Sequence, residues 1–253
     1  MSPIRSETIH DGQVERWYLT LPHGNVLDDA VIQALHKAAT GLKNRPDLKA
    51  IVISSDSDDF ASEAVPEHVP AQVAKLLPAY HALFRTIDAL GIPTAAVVRG
   101  RCVGGGCELA MSCGWVFCDA SAEFAVPQTK AGVFPPIASV LLPWRVGGAR
   151  ATQLILTGRT VLAEEAARIG LADKLVDDPE AELTFWLGRE ILPKSALTLR
   201  FAWQNARRPI HRQLADRLME LETSYLGELM AHHDPQEGLR AAAEGRKPDW
   251  KND

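Results

Sequence analysis

Three consecutive glycines stand between a short apolar segment and a carboxylate. The apolar run Thr94–Val98 predicts a buried strand, the glycines Gly104, Gly105 and Gly106 follow it, and the sequence favours a helix from about Cys107. Glycine lets backbone N–H groups approach a ligand because no Cβ is in the way. A helix N-terminus adds unpaired N–H donors and a partial positive charge. This combination suits an oxygen atom that gains negative charge during a reaction.

Glu108 follows the glycines in the first turn of the predicted helix. A base at that position is within reach of a ligand that the glycine turn holds. A carboxylate so placed can act as a general acid or base, moving protons to and from the reacting group. Glu108 is therefore the candidate catalytic residue.

Composition and charge limit the classes of function. The chain has 253 residues, of which 46% are apolar, and a formal net charge of −5. The length fits one large domain or a domain with an appendage, and the negative charge argues against a nucleic-acid partner. No apolar run reaches the roughly 18 residues of a membrane span, and the polar segment 1–12 lacks the apolar core of a signal peptide. We therefore expect a cytoplasmic protein with no membrane partner.

The cysteines crowd into one short segment that holds no C-x-x-C pair and no histidine: Cys102, Cys107, Cys113 and Cys118. Buried small side chains are the expected role, and a zinc site or a disulfide is the alternative. The run His232-His233-Asp234 is interpreted as a polar helix end rather than a metal site. We predict no metal.

Strands alternate with helices up to about residue 175, which predicts an α/β fold with parallel strand pairing. Asp28 or Asp29 can cap a first helix, and a long helix is predicted from Val73 to Leu90. Residues 132–143 are rich in Gly and Pro and are predicted to form a loop. The chain is wholly helical after Asp178, and we expect an apolar stripe there to pack against another subunit: Leu214, Leu218, Leu221, Tyr225 and Leu229.

These segments together resemble the crotonase (enoyl-CoA hydratase/isomerase) superfamily. The resemblance covers nearly the whole chain: the glycine turn with Glu108, the segments 123–127 and 132–136, the stretch 154–173 and the C-terminal segment 244–250. Two stretches, 132–143 and 225–239, are similar to the hydratases of cyclic dienoyl-CoA thioesters that act in anaerobic aromatic degradation, and the pair Glu67-His68 fits them too.

The resemblance implies a crotonase-like spiral of β-β-α turns in residues 1–190, which hold the acyl-CoA site. Residues 191–253 would form a helical oligomerisation region, assembled as a homo-trimer or a dimer of trimers. The implied substrate is a CoA thioester. No cofactor is implied, since CoA is part of the substrate.

The resemblance also implies an oxyanion hole of two backbone N–H groups. One belongs to Gly105, and the other comes from Glu63 or Ala64, because the alignment of that loop is ambiguous by one residue. Further expected substrate contacts are Ser62, Val65, Gly104, Phe134 and Pro135, the last two in the acyl pocket or in plain loop packing. Lys247 and Lys251, with Arg246, would meet CoA phosphates, or else are solvated basic residues.

The sequence departs from the family pattern at Gln128. Hydratases of the superfamily commonly use two glutamates, of which the first maps onto Glu108 and the second onto Gln128. An amide can hold a water or a substrate oxygen, but it cannot cycle a proton near neutral pH. Either Glu108 makes both proton transfers, or another group such as the Glu63 carboxylate helps, or the reaction differs from simple hydration.

Three hypotheses follow for the function. The first is hydration of a cyclic or otherwise conjugated enoyl-CoA or dienoyl-CoA thioester, with Glu108 as acid and base. The second is another crotonase-type reaction with Glu108 alone, namely double-bond isomerisation, decarboxylation or thioester hydrolysis. The third is a non-catalytic acyl-CoA-binding paralogue, which the Gln128 replacement suggests.

Overall fold

A computed structural model of the chain describes residues 3–20, 26–61 and 70–253. Its larger sheet has the strand order β1-β2-β3-β4-β6-β9, with β1 Ile4–Ile9, β2 Val14–Leu19, β3 Ala50–Ser55, β4 Thr94–Val98, β6 Trp115–Cys118 and β9 Lys174–Leu175. A smaller sheet has the order β5-β7-β8, with β5 Arg101–Val103, β7 Glu123–Ala125 and β8 Val161–Leu162.

Ten α-helices lie in the described residues: α1 Asp29–Gly41, α2 Pro70–Ala89, α3 Gly105–Ser112, α4 Pro136–Val146, α5 Gly148–Thr157, α6 Ala163–Ile169, α7 Pro179–Trp186, α8 Ala196–Ala206, α9 Arg208–Thr223 and α10 His233–Ala243. A 3-10 helix spans Pro127–Ala131. Single turns of π-helix follow α7 and α9, at Leu187–Ile191 and Ser224–Glu228.

The predicted parallel pairing is confirmed. From β2 to β9 the neighbouring strands of the larger sheet are parallel, and only the edge strand β1 is antiparallel. Every residue of β4 is buried, which is typical of a parallel strand covered on both faces. Asp28 caps α1, since its side chain accepts a hydrogen bond from the Val31 N–H at 2.9 Å.

The prediction of a loop over residues 132–143 is wrong, because α4 begins at Pro136. Proline is tolerated in the first turn of a helix, where its missing N–H is not needed. The residues that follow are nearly all apolar and buried, so packing holds the segment as a helix even with Pro143 inside it. The helix α3 also begins earlier than predicted, at Gly105 rather than about Cys107.

The apolar stripe of the C-terminal helices packs within its own chain, contrary to the expectation that another subunit covers it. Leu214 and Leu218 belong to the main hydrophobic core, and Leu221 packs against it. Tyr225 joins a smaller cluster with Val73 from α2. The division into residues 1–190 and 191–253 stays a prediction. No helix in the described residues is long and apolar enough to cross a membrane.

Candidate active site

The glycine turn connects β5 to α3 through a backbone conformation that favours glycine. Gly104 has φ +59° and ψ −125°, a region that residues with a Cβ rarely adopt. Its N–H donates to the Ala125 carbonyl at 2.9 Å, and its carbonyl accepts from the Glu108 N–H at 3.0 Å. Gly105 is the first residue of α3, and the first N–H groups of a helix have no partner within it. The predicted oxyanion donor therefore lies at a helix N-terminus.

Gly106 lets this turn pack directly on the segment that precedes the other predicted oxyanion donor. A Cβ on Gly106 would lie 2.5 Å from the Ala61 Cβ and 2.6 Å from its carbonyl oxygen. The Ala61 backbone is held by the Arg101 carbonyl and the Val103 N–H, at 3.1 and 2.8 Å. The predicted residues Ser62, Glu63, Ala64 and Val65, and the pair Glu67-His68, lie outside the described residues, so their roles stay predictions.

Glu108 is buried, with 1% of its surface exposed. Its Oε1 accepts the Ala138 N–H at 2.7 Å, and its Oε2 lies 3.1 Å from the Tyr80 hydroxyl. Ala138 is in the first turn of α4, so the N-termini of α3 and α4 both favour negative charge at this carboxylate. The helix α4, where the sequence predicted a loop, thus provides a hydrogen bond that positions the Glu108 carboxylate.

Burial raises the pKa of Glu108 from 4.5 to about 7. The hydrogen bonds from Ala138, Tyr80 and Ile137 lower this pKa, but they do not outweigh the loss of hydration. A carboxyl group with a pKa near neutrality can accept and release protons at ordinary pH. The environment of Glu108 therefore suits a residue that acts as both acid and base.

Gln128 lies in the 3-10 helix after β7, where it is 6% exposed. Its Oε1 is buried and has no hydrogen-bond partner among the described residues. Buried acceptors without a partner are uncommon and carry a free-energy cost. The amide can therefore bind a water or a substrate hydroxyl as an acceptor.

Gln128 and Glu108 line the same cavity. Its walls are otherwise apolar or aromatic: Val73, Leu76, Leu77, Tyr80, Phe134, Pro136 and Tyr225. The cavity volume is about 20 Å³, which is room for about one water molecule. An acyl group can occupy this position only if wall side chains move.

Phe134 and Tyr225 close one side of the cavity with aromatic rings. Their centroids are 5.1 Å apart and their planes meet at 60°, an edge-to-face geometry that favours both rings. Phe134 therefore lines the cavity, and its contact with an acyl group stays a prediction. Pro135 precedes α4 and its carbonyl accepts from the Ser139 N–H at 2.9 Å, while the next residue, Pro136, lines the cavity.

The basic residues of the C-terminal segment do not reach this cavity. Lys247 and Lys251 are exposed, and neither is among the described residues that line it. Arg246 is committed to an ion pair with Glu237, with one N···O distance of 3.0 Å. Contact of the two lysines with a CoA phosphate stays a prediction.

All four cysteines are buried and free, as predicted for small core side chains. Burial raises the pKa of Cys113 to about 11 and that of Cys118 to about 12, so both thiols stay protonated. Within the part of the chain that the structure describes, no group of His, Cys, Asp and Glu side chains is arranged to hold a metal ion.

Tyr80 lies within the long helix predicted from Val73 to Leu90 and is 3% exposed, but the sequence did not single it out as a site residue. Its hydroxyl lies 3.1 Å from the Gly105 carbonyl as well as 3.1 Å from Glu108. The available signal was a tyrosine among the aliphatic side chains of this helix. A buried tyrosine hydroxyl generally finds a hydrogen-bond partner, so Tyr80 could have been expected to contact a polar group.

Comparisons with known proteins identify the family of the chain. The profile of the family described as enoyl-CoA hydratase/isomerase matches residues 13–253. The cyclohexa-1,5-dienecarbonyl-CoA hydratase of Thauera aromatica is 38% identical over 252 residues, which are 99% of this chain and 98% of that protein. A probable enoyl-CoA hydratase of Mycobacterium bovis is 35% identical over 233 residues, 89% of each chain.

A solved structure extends the agreement to the fold. The crystal structure of an enoyl-CoA hydratase from Mycobacterium avium subsp. paratuberculosis superposes with a TM-score of 0.87 at 25% identity, covering 99% of both chains. The expected mixed α/β fold with a crotonase-like arrangement is confirmed.

Proposed function

The chain belongs to the enoyl-CoA hydratase/isomerase family as a hydratase-type enzyme, and we propose that it adds water to a conjugated, cyclic dienoyl-CoA thioester. The single observation that carries this proposal is the cavity that Glu108 and Gln128 both line. It contains one carboxylate that can exchange a proton and one amide that can hold a water. The full-length similarity to a hydratase named for a cyclohexadiene thioester supports the choice of acyl group.

Stabilisation of the thioester oxygen is the first task of the site. Addition of water to a conjugated thioester places negative charge on that oxygen, and preorganised N–H donors reduce the barrier most. We assign the Gly105 N–H to this role, and Glu63 or Ala64 as the source of the second donor. Ser62, Val65 and Gly104 would contact the substrate beside them.

Proton transfer is the second task, and Glu108 would perform it alone. A water in the cavity donates one hydrogen bond to the Gln128 Oε1 and the other to the Glu108 Oε2. As the water oxygen bonds to the β-carbon, or to the δ-carbon of a diene, Glu108 takes a proton. Glu108 then delivers this proton to a carbon on the same face, so the sum is one added water. No cofactor is needed for this chemistry.

The apolar and aromatic composition of the cavity wall supports a planar apolar acyl group. Phe134 and Tyr225 present rings, and the α2 side chains Val73, Leu76 and Leu77 present aliphatic surface. Such a wall binds a flat apolar ring by contact area rather than by hydrogen bonds.

Lys247 and Lys251 would meet the CoA phosphates from the C-terminal segment.

Product mass distinguishes the candidate reactions. Incubation with cyclohexa-1,5-diene-1-carboxyl-CoA is expected to give a product heavier by one water, whereas isomerisation leaves the mass unchanged and decarboxylation removes carbon dioxide. Glu108→Gln should lower the rate about 10²- to 10⁴-fold, while Glu164→Gln, the same change on an exposed residue of α6, should leave it unchanged. The absence of a hydrated product from this thioester and from crotonyl-CoA would refute the proposal.

The variant Gln128→Glu tests whether the missing second carboxylate redirects the site. If the position still belongs to a hydratase arrangement, the variant should hydrate crotonyl-CoA faster than the parent enzyme does. Unchanged crotonyl-CoA turnover would show that the native reaction does not use a proton at residue 128.

We also propose assembly as a homo-trimer or a dimer of trimers. Several large apolar side chains are exposed on this single chain, among them Trp144, Leu197, Phe201 and Met219. Exposed apolar surface of this kind favours a protein interface. Sedimentation equilibrium over a range of concentrations is expected to give three or six times the chain mass of 27.6 kDa.

A further inference from the structure

Tyr80 contacts the candidate catalytic carboxylate from a different helix. Its hydroxyl oxygen lies 3.1 Å from the Glu108 Oε2 and 3.1 Å from the Gly105 carbonyl oxygen. A hydroxyl carries one proton, so it can donate fully to only one of these two acceptors at a time. All three groups are buried. Bulk water therefore does not replace the Tyr80 hydroxyl as the donor to either acceptor.

The two oxygens of Glu108 have different partners. Oε1 accepts the Ala138 N–H at 2.7 Å, and this backbone donor cannot turn away. Oε2 has the Tyr80 hydroxyl, which rotates about its C–O bond. Oε2 is the better position for an exchanging proton, because the Tyr80 hydroxyl, unlike the backbone donor on Oε1, can turn away from it.

We propose that Tyr80 is a positioning residue that switches its O–H between Glu108 and the Gly105 carbonyl as Glu108 exchanges its proton. While Glu108 is ionised, Tyr80 donates to Oε2 and stabilises the charge. Once Oε2 has taken a proton from water, Tyr80 turns its O–H to the Gly105 carbonyl, and the carboxyl proton is free to pass to carbon. The inference rests on the proposed function for the direction of these transfers.

The switch explains how one carboxylate can make both proton transfers, from water and to carbon. A fixed donor on Oε2 would favour only the ionised form, and a fixed acceptor would favour only the protonated form. Tyr80 gives Glu108 a hydrogen-bond partner in both the ionised and the protonated form. This matters because a buried polar group without a partner is destabilising. Since no charged side chain contributes to the pKa of Glu108 in the described residues, Tyr80 is the one rotatable donor acting on it there.

The conservative variant Tyr80→Phe removes only the hydroxyl and keeps the ring that lines the cavity. Because the Tyr80 hydrogen bond lowers the pKa of Glu108, its loss should raise that pKa by about one pH unit. The acidic limb of the kcat/KM profile should move upward by the same amount. We expect kcat to fall about tenfold or more, with a smaller change in KM. Tyr18→Phe, the same change on β2 beside Arg5 and Arg16, should move neither quantity.

A carboxyl titration separates this inference from the proposed function. In protein labelled with ¹³C at glutamate side chains, the Glu108 signal is identified by its absence in Glu108→Gln, and its pKa is measured without any substrate. An upward shift in Tyr80→Phe supports the inference even if no thioester is hydrated, which would refute the proposed function alone. An unchanged pKa overturns the inference whatever the enzyme turns over.

A double-mutant cycle tests whether Tyr80 acts through Glu108. In the Glu108→Gln background, Tyr80→Phe should reduce the residual rate far less than it does in the parent enzyme. Equal reductions in both backgrounds would indicate a packing role and would overturn the inference. If Tyr80→Phe does not fold, 3-fluorotyrosine at residue 80 keeps the shape and is a stronger donor, so it should lower the pKa of Glu108; no shift would again overturn the inference.

Discussion

Glu108→Gln should stabilise the folded protein above neutral pH. Burial raises the pKa of Glu108 from 4.5 to about 7 in the folded chain, so the folded state binds this proton more tightly than the unfolded state does. The stability that results is fully present below pH 4.5 and is lost as the pH rises to about 7. At about 1.4 kcal/mol for each pKa unit, the loss amounts to about 3 kcal/mol.

Glutamine removes this pH dependence while preserving the contacts. Its carbonyl oxygen can accept the Ala138 N–H, and its amide can donate to the Tyr80 oxygen, which turns its proton to Gly105. The free energy of unfolding of the variant, relative to the parent enzyme, should therefore rise by about 3 kcal/mol between pH 4 and pH 8.

The measurement is urea unfolding at a series of pH values, followed by circular dichroism at one fixed chain concentration, because association would otherwise contribute to stability. The control is Glu164→Gln on the exposed surface of α6, for which the difference from the parent enzyme should stay constant with pH. A constant difference for Glu108→Gln over the same range would refute the reasoning, since it would mean that Glu108 ionises equally well in the folded and unfolded chains.

Three further changes test other contacts. Gly106→Ala would bring a Cβ within 2.6 Å of the Ala61 backbone, so it should destabilise the fold by about 1–3 kcal/mol and lower kcat, as measured by thermal unfolding and steady-state kinetics. Glu237→Gln should release the C-terminal segment to limited proteolysis, because it removes one charge partner of Arg246, another being Glu244. Hydrogen bonds from Arg246 and from the Asp249 N–H hold the pKa of Glu237 near 2, so the parent enzyme should show the same release only as the pH falls from about 4.5 toward 2. Asp28→Ala should reduce the free energy of unfolding by about 1 kcal/mol through loss of the α1 cap.

The local backbone arrangement of residues that are neighbours in sequence could be predicted from the sequence. Gly104, Gly105 and Glu108 lie within one turn-helix segment, and the structure places them as the residue types and spacing indicate. The parallel sheet was predictable for a similar reason, because apolar periodicity within each segment determines which faces must be covered.

The contacts between distant segments could not be predicted in this way. Tyr80 and Glu108 are 28 residues apart, and Ala138 reaches Glu108 from 30 residues further on. No local pattern encodes which hydroxyl or which backbone N–H meets a buried carboxylate, since packing of α2 and α4 decides it. The helix α4 was missed because its prolines indicate a turn when read alone, whereas burial of its apolar side chains determines its conformation.

Tyr225 has a consequence for the order in which the site forms. It lies far along the chain from Val73 of α2, yet it packs in one cluster with Val73 and Leu239 and lines the cavity. During synthesis the glycine turn leaves the ribosome long before Tyr225 does. The cavity beside Glu108 therefore has its complete lining only after Tyr225 has packed against α2.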